Sequence, residues 1–192
     1  MKIKPDSQHI GKKADIILVV NFNGNWYMQL PNEKWHLWAD MAVEIGRYRE
    51  LFQKKHNATA PPVLCIDFVV CDENADRAEE MARKYAAEYF LTAANHYEMA
   101  GDHFEGTSGY NSYAEASKML NDVGVDTVAQ AFVDYQIWGT PEQILEKAKA
   151  RKQVIGDFKM SGCFSFAGMP YDYATKSMSL FAEKCIPELH NL

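Results

Sequence analysis

Hydrophobic positions along this chain fall into short continuous runs that alternate with longer stretches of three- and four-residue spacing. Continuous apolar runs of this length are typical of buried parallel strands, and the spaced stretches are typical of amphipathic helices. The sequence predicts strands at residues 15–20, 63–71 and 158–166. It predicts helices at residues 5–14 and roughly 33–55, from Asn74 to near Gly101, after Gly139, and from Tyr171 to about Ile186. Strands that alternate with helices predict βα units and a parallel sheet, which is an α/β fold.

Residues 101–136 do not follow either pattern cleanly. The stretch carries four glycines, polar residues and scattered aromatic side chains instead of one apolar stripe. Glycine-rich segments without periodicity are typical of loops. We therefore expect an irregular insertion at about 101–136, and we expect it to be the least ordered part of the chain.

The segment "GTPE", Gly139 to Glu142, stands directly before a helical pattern and has two interpretations. Thr140 is a good N-cap residue, and Pro141 suits the first helical position because its missing N–H would have no partner there. A glycine turn that opens a helix can also hold a phosphate. The phosphate motifs GxxxxGK[ST] and GxGxxG are absent from the chain, so the residues alone favour the plain cap.

Composition limits the classes of partner. The 192 residues suit one domain, and 47% hydrophobic with 24% charged residues is typical of a globular protein. A net charge of -6 argues against nucleic acid or an anionic membrane as the main partner. No apolar run approaches the roughly 20 residues of a membrane span, and the first residues lack the apolar region of a signal peptide. The four cysteines lack CxxC spacing, so we expect reduced, mostly buried thiols in a cytoplasmic protein.

Motifs for metal or nucleophilic chemistry are weak. The six histidines include no pair at three- or four-residue spacing and no HExxH, so we expect no metal site. GxSxG is also absent. Asp67 interrupts an apolar strand and needs a partner if it is buried. It is either a catalytic carboxylate, a residue in a polar barrel lumen, or a residue that pairs with a lysine.

Two other segments offer binding chemistry. Ser7 lies where a helix is predicted to begin, and nearby lysines include Lys4, which is suitable for an anion such as phosphate. The simpler interpretation is a helix cap among exposed lysines. His96 continues an apolar helical stripe and is by default a core or rim histidine, although the stretch "NHYEMAGDHF" also offers Tyr97 and Phe104 to a ligand.

The last third, "IWGTPEQILEKAKARKQVIGDFKMSGCFSFAGMPYDYATKSMSLFAEKCIPEL", resembles the C-terminal segment of the luciferase-like flavin-dependent monooxygenases. In that family a Gly-Thr-Pro-Glu helix start precedes the last barrel strand, a turn ending in proline, and a helix ending in Phe-Ala-Glu. The segments "KPDSQHIGKKADIILVV" and "NHYEMAGDHFEGTSGYNSY" also resemble stretches of the family, in the same order. The resemblance covers nearly the whole chain and is specific in its C-terminal third.

The resemblance implies a (β/α)₈ barrel with reduced FMN or a deazaflavin at the C-terminal ends of the strands. It implies oxidation of a small organic substrate, with incorporation or reduction of O₂, and no metal. Ser7 and Lys4 match the helix start that binds the cofactor phosphate in the family, although lysine replaces a usual hydroxyl residue at position 4. The resemblance identifies no catalytic residue. The aromatic segment would cover the substrate through His96, Tyr97, Phe104, Tyr110 and Tyr113.

A complete barrel takes about 250 residues, and this chain matches the family from its fifth strand onward. We therefore expect residues 1–192 to form a single partial domain, the C-terminal half of a TIM barrel. Three or four parallel strands would leave apolar edges, so we expect a homodimer or a complementary N-terminal half. The alternative is a non-catalytic half-barrel module that binds flavin or dimerises. An unrelated flavodoxin-like binder is a weaker alternative, because the first strand lacks a Ser/Thr-rich phosphate loop.

Overall fold

The computed structural model describes residues 19–22, 25–28, 37–108 and 110–192. The strands in these ranges are β1 (Val19–Phe22), β2 (Asn25–Met28), β3 (Val63–Cys71), β4 (Ile137–Gly139) and β5 (Phe158–Cys163). The helices are α1 (Leu37–His56), α2 (Ala75–His96), α3 (Asn111–Val123), α4 (Val125–Tyr135), α5 (Pro141–Ile155), α6 (Tyr171–Lys184) and α7 (Ile186–Leu189). Strand β3 has the predicted bounds, and β5 covers the first six residues of its predicted strand.

A three-stranded parallel sheet lies at the centre, in the order β4-β3-β5. Strand β4 pairs with the end of β3, with Val69 opposite Ile137. Strand β5 pairs with the first part of β3, from Val63 opposite Phe158 to Phe68 opposite Cys163. The prediction of an α/β fold with parallel strands at 63–71 and 158–166 is confirmed for these residues.

Helices cover both faces of the C-terminal part of β3, whereas Leu64 and Ile66 near its start are 60% and 74% exposed. On one face, Phe68 and Val70 of β3 pack in a cluster with α2, α3 and α4. On the other face, Val69 and Cys71 pack in a cluster with α5 and α6. Successive side chains of a strand point to opposite faces, and a strand that is covered on both faces becomes a continuous apolar run. Burial on both faces therefore accounts for the part of the run "VLCIDFVVC" from Phe68 to Cys71, and not for the exposed Leu64 and Ile66.

A (β/α)₈ barrel closes eight parallel strands inside a ring of helices. The described residues contain three parallel strands, in which β4 and β5 lie on opposite sides of β3. The described residues therefore form an α/β fold with a small parallel sheet, and they do not show a closed barrel.

The strand predicted at residues 15–20 was expected to be parallel, but its described part pairs antiparallel. Val19 and Val20 belong to β1, which pairs antiparallel with β2, with Phe22 opposite Asn25. The sequence places Asn23 and Gly24 between the two strands, and Asn-Gly between two strands strongly favours a two-residue hairpin. Residues 15–18 and the predicted helix at 5–14 lie outside the described residues.

The predicted irregular insertion at about 101–136 is shorter in the structure. Residues 111–123 and 125–135 form α3 and α4, and the irregular part lies between His96 and Asn111. Helix formation follows from packing, because Leu120, Ala129 and Val133 are buried against α2. Gly124, with φ of +94°, separates the two helices at a conformation that glycine tolerates.

Helix α2 begins at the predicted cap. The Asn74 side chain accepts a hydrogen bond from the Arg77 N–H at 2.9 Å. One face of α2 carries small buried residues, including Ala78, Ala82 and Ala86. Because these side chains are small, α4 can pack close to α2 along this face.

All four cysteines are free, and Cys65, Cys71 and Cys185 are buried. The prediction of mostly buried thiols is confirmed.

Candidate functional site

The carboxyl edge of the sheet carries a buried polar cluster. Asp72 directly follows β3 and is only 6% exposed. Its carboxylate accepts hydrogen bonds from Arg77 Nε at 2.6 Å and Arg77 Nη2 at 2.5 Å. It also accepts bonds from the Tyr173 hydroxyl at 3.0 Å and from the Asn74 backbone N–H at 2.8 Å. Three regions of the fold, the end of β3 and the starts of α2 and α6, therefore meet at one carboxylate.

The charges of this cluster are fixed by these contacts. Burial raises the pKa of the Asp72 carboxyl, but the hydrogen bonds from Arg77, Asn74 and Tyr173 outweigh it and hold the pKa below its usual range. Burial and the bond to Asp72 raise the pKa of Tyr173. At neutral pH the cluster therefore contains a carboxylate, a neutral phenol that donates to it, and the guanidinium of Arg77, whose side chain is 57% exposed.

This arrangement suits binding better than proton transfer. A carboxylate that accepts four hydrogen bonds is a weak general base, because each donor stabilises its charged form. The exposed guanidinium of Arg77 can contact an anion at the edge of the sheet, and in open α/β sheets ligands bind outside the carboxyl ends of the strands. We therefore take Asp72, Arg77 and Tyr173, the Asp72 cluster, as the candidate functional site.

Two buried thiols lie next to this cluster. The hydrogen bond between Cys71 and Cys185, together with burial, raises the pKa of the Cys71 thiol. The Cys71 backbone N–H donates to Ser177 Oγ at 2.8 Å, which links the end of β3 to α6. A buried thiol with a raised pKa is a poor nucleophile. Cys71 therefore acts here as a packed side chain.

The helix start at Gly139 is a capping box. Thr140 Oγ1 accepts a bond from the Gln143 N–H at 3.4 Å, and Gln143 Oε1 accepts one from the Thr140 N–H at 2.9 Å. Pro141 occupies the first turn. The interpretation of "GTPE" as a cap is confirmed, and two N–H groups that a phosphate would need already have partners.

Asp67 is one half of a buried ion pair. Its two carboxylate oxygens accept bonds of 2.6 Å each from the two terminal nitrogens of Arg151. The expectation of an ion pair is therefore confirmed, but the partner is Arg151 of α5 and not a lysine.

The aromatic residues that were expected to cover the substrate lie away from the Asp72 cluster. Phe104, Tyr110 and Tyr113 form a cluster with ring centroids 5.4 to 6.0 Å apart. His96 contacts Tyr97, with ring centroids 4.9 Å apart. Both groups lie at or beyond the C-terminal end of α2, whereas the Asp72 cluster lies at its N-terminal end. A helix of 22 residues is about 33 Å long, so the structure does not bring them together.

Ser7 and Lys4 lie outside the described residues, so the phosphate site expected there stays a prediction. Sequence reasoning missed the Asp72 cluster, although one signal was available: Asp72 is the first polar residue after the apolar run of β3. Tyr173 and Arg77 carried no comparable signal, since each fits an ordinary helical pattern.

The described ranges contain no group of three or more histidine, cysteine or acidic residues placed to hold a metal ion. None of their helices combines the length and apolar character that crossing a bilayer requires.

No protein-family model matches the chain, and no curated protein matches it. Among solved structures, the chain is similar to the crystal structure of monooxygenase RslO1 from Streptomyces bottropensis, with 16% identity and a TM-score of 0.44. The match covers 79% of this chain and 40% of that one, so the chain spans less than half the length of RslO1. A similarity at this level does not assign an activity.

The pKa of Asp72 predicts a dependence of stability on pH. Because the folded-state pKa lies below the unfolded value of about 3.9, its contribution is fully present above that pH and is lost as the pH falls through the folded pKa. In urea denaturation between pH 6 and pH 2.5, the free energy of unfolding should fall less steeply for Asp72→Asn than for the wild type. Equal slopes for the two proteins would contradict the assignment.

Proposed function

We propose that this chain is part of a luciferase-like, flavin-dependent oxidoreductase of the cytoplasm. It would use reduced FMN or a deazaflavin to oxidise a small organic substrate, with incorporation or reduction of O₂, and would need no metal. The observation that supports the proposal is the order of landmarks in the last third of the chain. A capped helix after Gly139, strand β5, and helix α6 after Pro170 follow one another as the resemblance implies.

The described residues offer a contact for only one part of such a cofactor, its phosphate. Arg77 offers an exposed cation at the carboxyl edge, which suits the phosphate. A cleft among the described residues lies elsewhere, between β5, α6 and α7. When bound, a flavin would supply the redox chemistry itself. The residues of this chain would hold its phosphate through Arg77 and the Ser7 helix start, while Asp72 fixes the position of the Arg77 guanidinium.

Titration with FMN tests the proposal. One anion site contributes a few kcal/mol at most, so we expect a dissociation constant near or above roughly a millimolar for this chain alone. Ser7→Ala and Arg77→Gln should each weaken binding further. Arg83→Gln is a matched control on the same helix, because Arg83 pairs with Asp134 at 2.6 Å instead of with Asp72. Micromolar binding that neither Ser7→Ala nor Arg77→Gln changes would place the cofactor elsewhere.

A second candidate is a non-catalytic module that dimerises. It is favoured by one observation: the outer edge of β5 pairs with no strand in the described part of the chain. The two candidates differ in a simple assay. An enzyme should consume reduced flavin faster than buffer does, at least when a complementary barrel half is supplied, whereas a non-catalytic module should not.

A further inference from the structure

Two thiols meet in the core where the end of β3 packs against α6. Cys71 is the last residue of β3, and Cys185 directly follows the last residue of α6. Both side chains are buried, at 2% and 0% exposure, and they lie in one apolar cluster with Ile144 and Phe181. The Cys71 thiol donates a hydrogen bond to the sulfur of Cys185. Two cysteines from distant parts of the chain are therefore in direct contact.

Backbone hydrogen bonds hold both cysteines at this position. The Cys71 N–H donates to Ser177 Oγ of α6 at 2.8 Å, and the Cys185 N–H donates to Phe181 O at 2.8 Å. Because α6 holds both main chains, the two sulfur atoms stay together as long as this helix is folded. A disulfide needs two cysteines whose side chains already face each other, and contact between the thiols shows that these do.

We propose that Cys71 and Cys185 form a reversible disulfide when a small disulfide such as oxidised glutathione is in excess. The Cys185 thiolate attacks one sulfur of oxidised glutathione, which forms a mixed disulfide and releases one glutathione. Cys71 then attacks the Cys185 sulfur and releases the second glutathione. Two protein thiols are thus oxidised to one disulfide, one oxidised glutathione is reduced to two thiols, and the protons of the two cysteines end on the two glutathiones.

The hydrogen bond between the thiols decides which of them attacks first. By donating to Cys185, Cys71 stabilises the Cys185 thiolate and lowers the pKa of that thiol, although burial opposes the change. The same bond and burial raise the pKa of Cys71. Because the thiolate is the attacking species in disulfide exchange, Cys185 attacks glutathione, and Cys71 attacks only the neighbouring mixed disulfide.

Helix α7 controls the access of oxidant to Cys185. It has four residues, none of them buried, and its Leu189 packs against the cluster that contains both cysteines. Segments with few buried contacts open locally at a low cost in free energy. Opening α7 and the end of α6 exposes Cys185 without unfolding the sheet. Leu189→Ala removes an apolar contact of α7 and should speed oxidation of the full chain roughly fivefold or more.

Oxidation in glutathione buffer tests the proposal. The full chain is equilibrated with excess oxidised glutathione, alkylated in denaturant without reductant, and digested. Mass spectrometry should find the peptides of Cys71 and Cys185 joined, and excess reduced glutathione should separate them. Cys71→Ala should leave a mixed disulfide of glutathione with Cys185, whereas Cys185→Ala should leave Cys71 unmodified. Cys163→Ala is the matched control at a partly exposed cysteine, and it should form the same disulfide as the wild type.

Two results with the wild-type chain would overturn the proposal, and neither requires a variant to fold. In one, Cys71 and Cys185 both remain free thiols in excess oxidised glutathione. In the other, either cysteine is joined to Cys65 or Cys163 instead. Leu91→Ala is the control for Leu189→Ala, because Leu91 packs in the cluster on the other face of β3, and it should leave the oxidation rate within about twofold of the wild type. None of these measurements involves flavin, so they are separate from the test of the proposed function.

Discussion

Replacing Arg151 with leucine is expected to lower the free energy of unfolding by roughly 3–5 kcal/mol. Arg151 is 1% exposed and Asp67 is 4% exposed, and two hydrogen bonds of 2.6 Å join them. Removing the guanidinium leaves the carboxylate of Asp67 buried without its charged partner, which costs more than the pair itself contributes. Urea denaturation at pH 7 measures the change.

Two comparisons separate this effect from a general loss of packing. The double variant Asp67→Leu/Arg151→Leu should be closer in stability to the wild type than Arg151→Leu is, because no buried charge remains. Asp134→Asn breaks the partly exposed pair with Arg83 and should cost less than about 1 kcal/mol. If Arg151→Leu lowers the free energy of unfolding no more than Asp134→Asn does, the prediction fails, because Asp67 is then accessible to water in solution.

Replacing Gly139 with alanine is expected to cost roughly 2–4 kcal/mol. Gly139 has a φ of +136°, a backbone conformation that side chains disfavour. An added Cβ would also lie 2.6 Å from Gln143 Oε1 and 2.9 Å from Gln143 Cβ. Because Gln143 is one half of the capping box, moving it away also removes the bond to the Thr140 N–H. Both effects act at the start of α5, and thermal unfolding followed by circular dichroism measures their sum.

Gly46→Ala is the matched control, since Gly46 lies within α1 and an added Cβ would meet no atom within 4 Å. Alanine is favoured over glycine in a helix, so this substitution should stabilise the protein by about 0.5–1 kcal/mol. The prediction for Gly139 fails if the two alanine variants change stability in the same direction.

The sequence predicted the features that depend on neighbouring residues. The caps at Asn74 and Thr140 could be predicted because each cap bonds to a residue three positions away. The bounds of β3 could be predicted because all but one of its residues are apolar. The antiparallel pairing of β1 with β2 also had a local signal in the sequence, Asn23-Gly24. The prediction of a parallel strand at residues 15–20 did not take this signal into account.

The remaining features depend on distant residues. Asp67 and Arg151 are 84 residues apart, so no pattern around Asp67 could identify its partner. Strand β4 has only three residues, which is too short for a period, and the strand order β4-β3-β5 depends on crossovers between separate elements. The Asp72 cluster combines residues about 100 positions apart, so only its first member could be inferred from the sequence.

The central position of β3 affects how the chain can fold during synthesis. Strand β3 is made first, and the residues of β5 that pair with it follow about 95 positions later. At a translation rate of roughly 5–20 residues per second, the edge of β3 that pairs with β5 lacks its partner for about 5 to 20 s. Helix α2 begins four residues after β3 ends and needs no distant residue to form. During synthesis, α2 is therefore the element that can cover Phe68 and Val70 before the ribosome has finished the sheet.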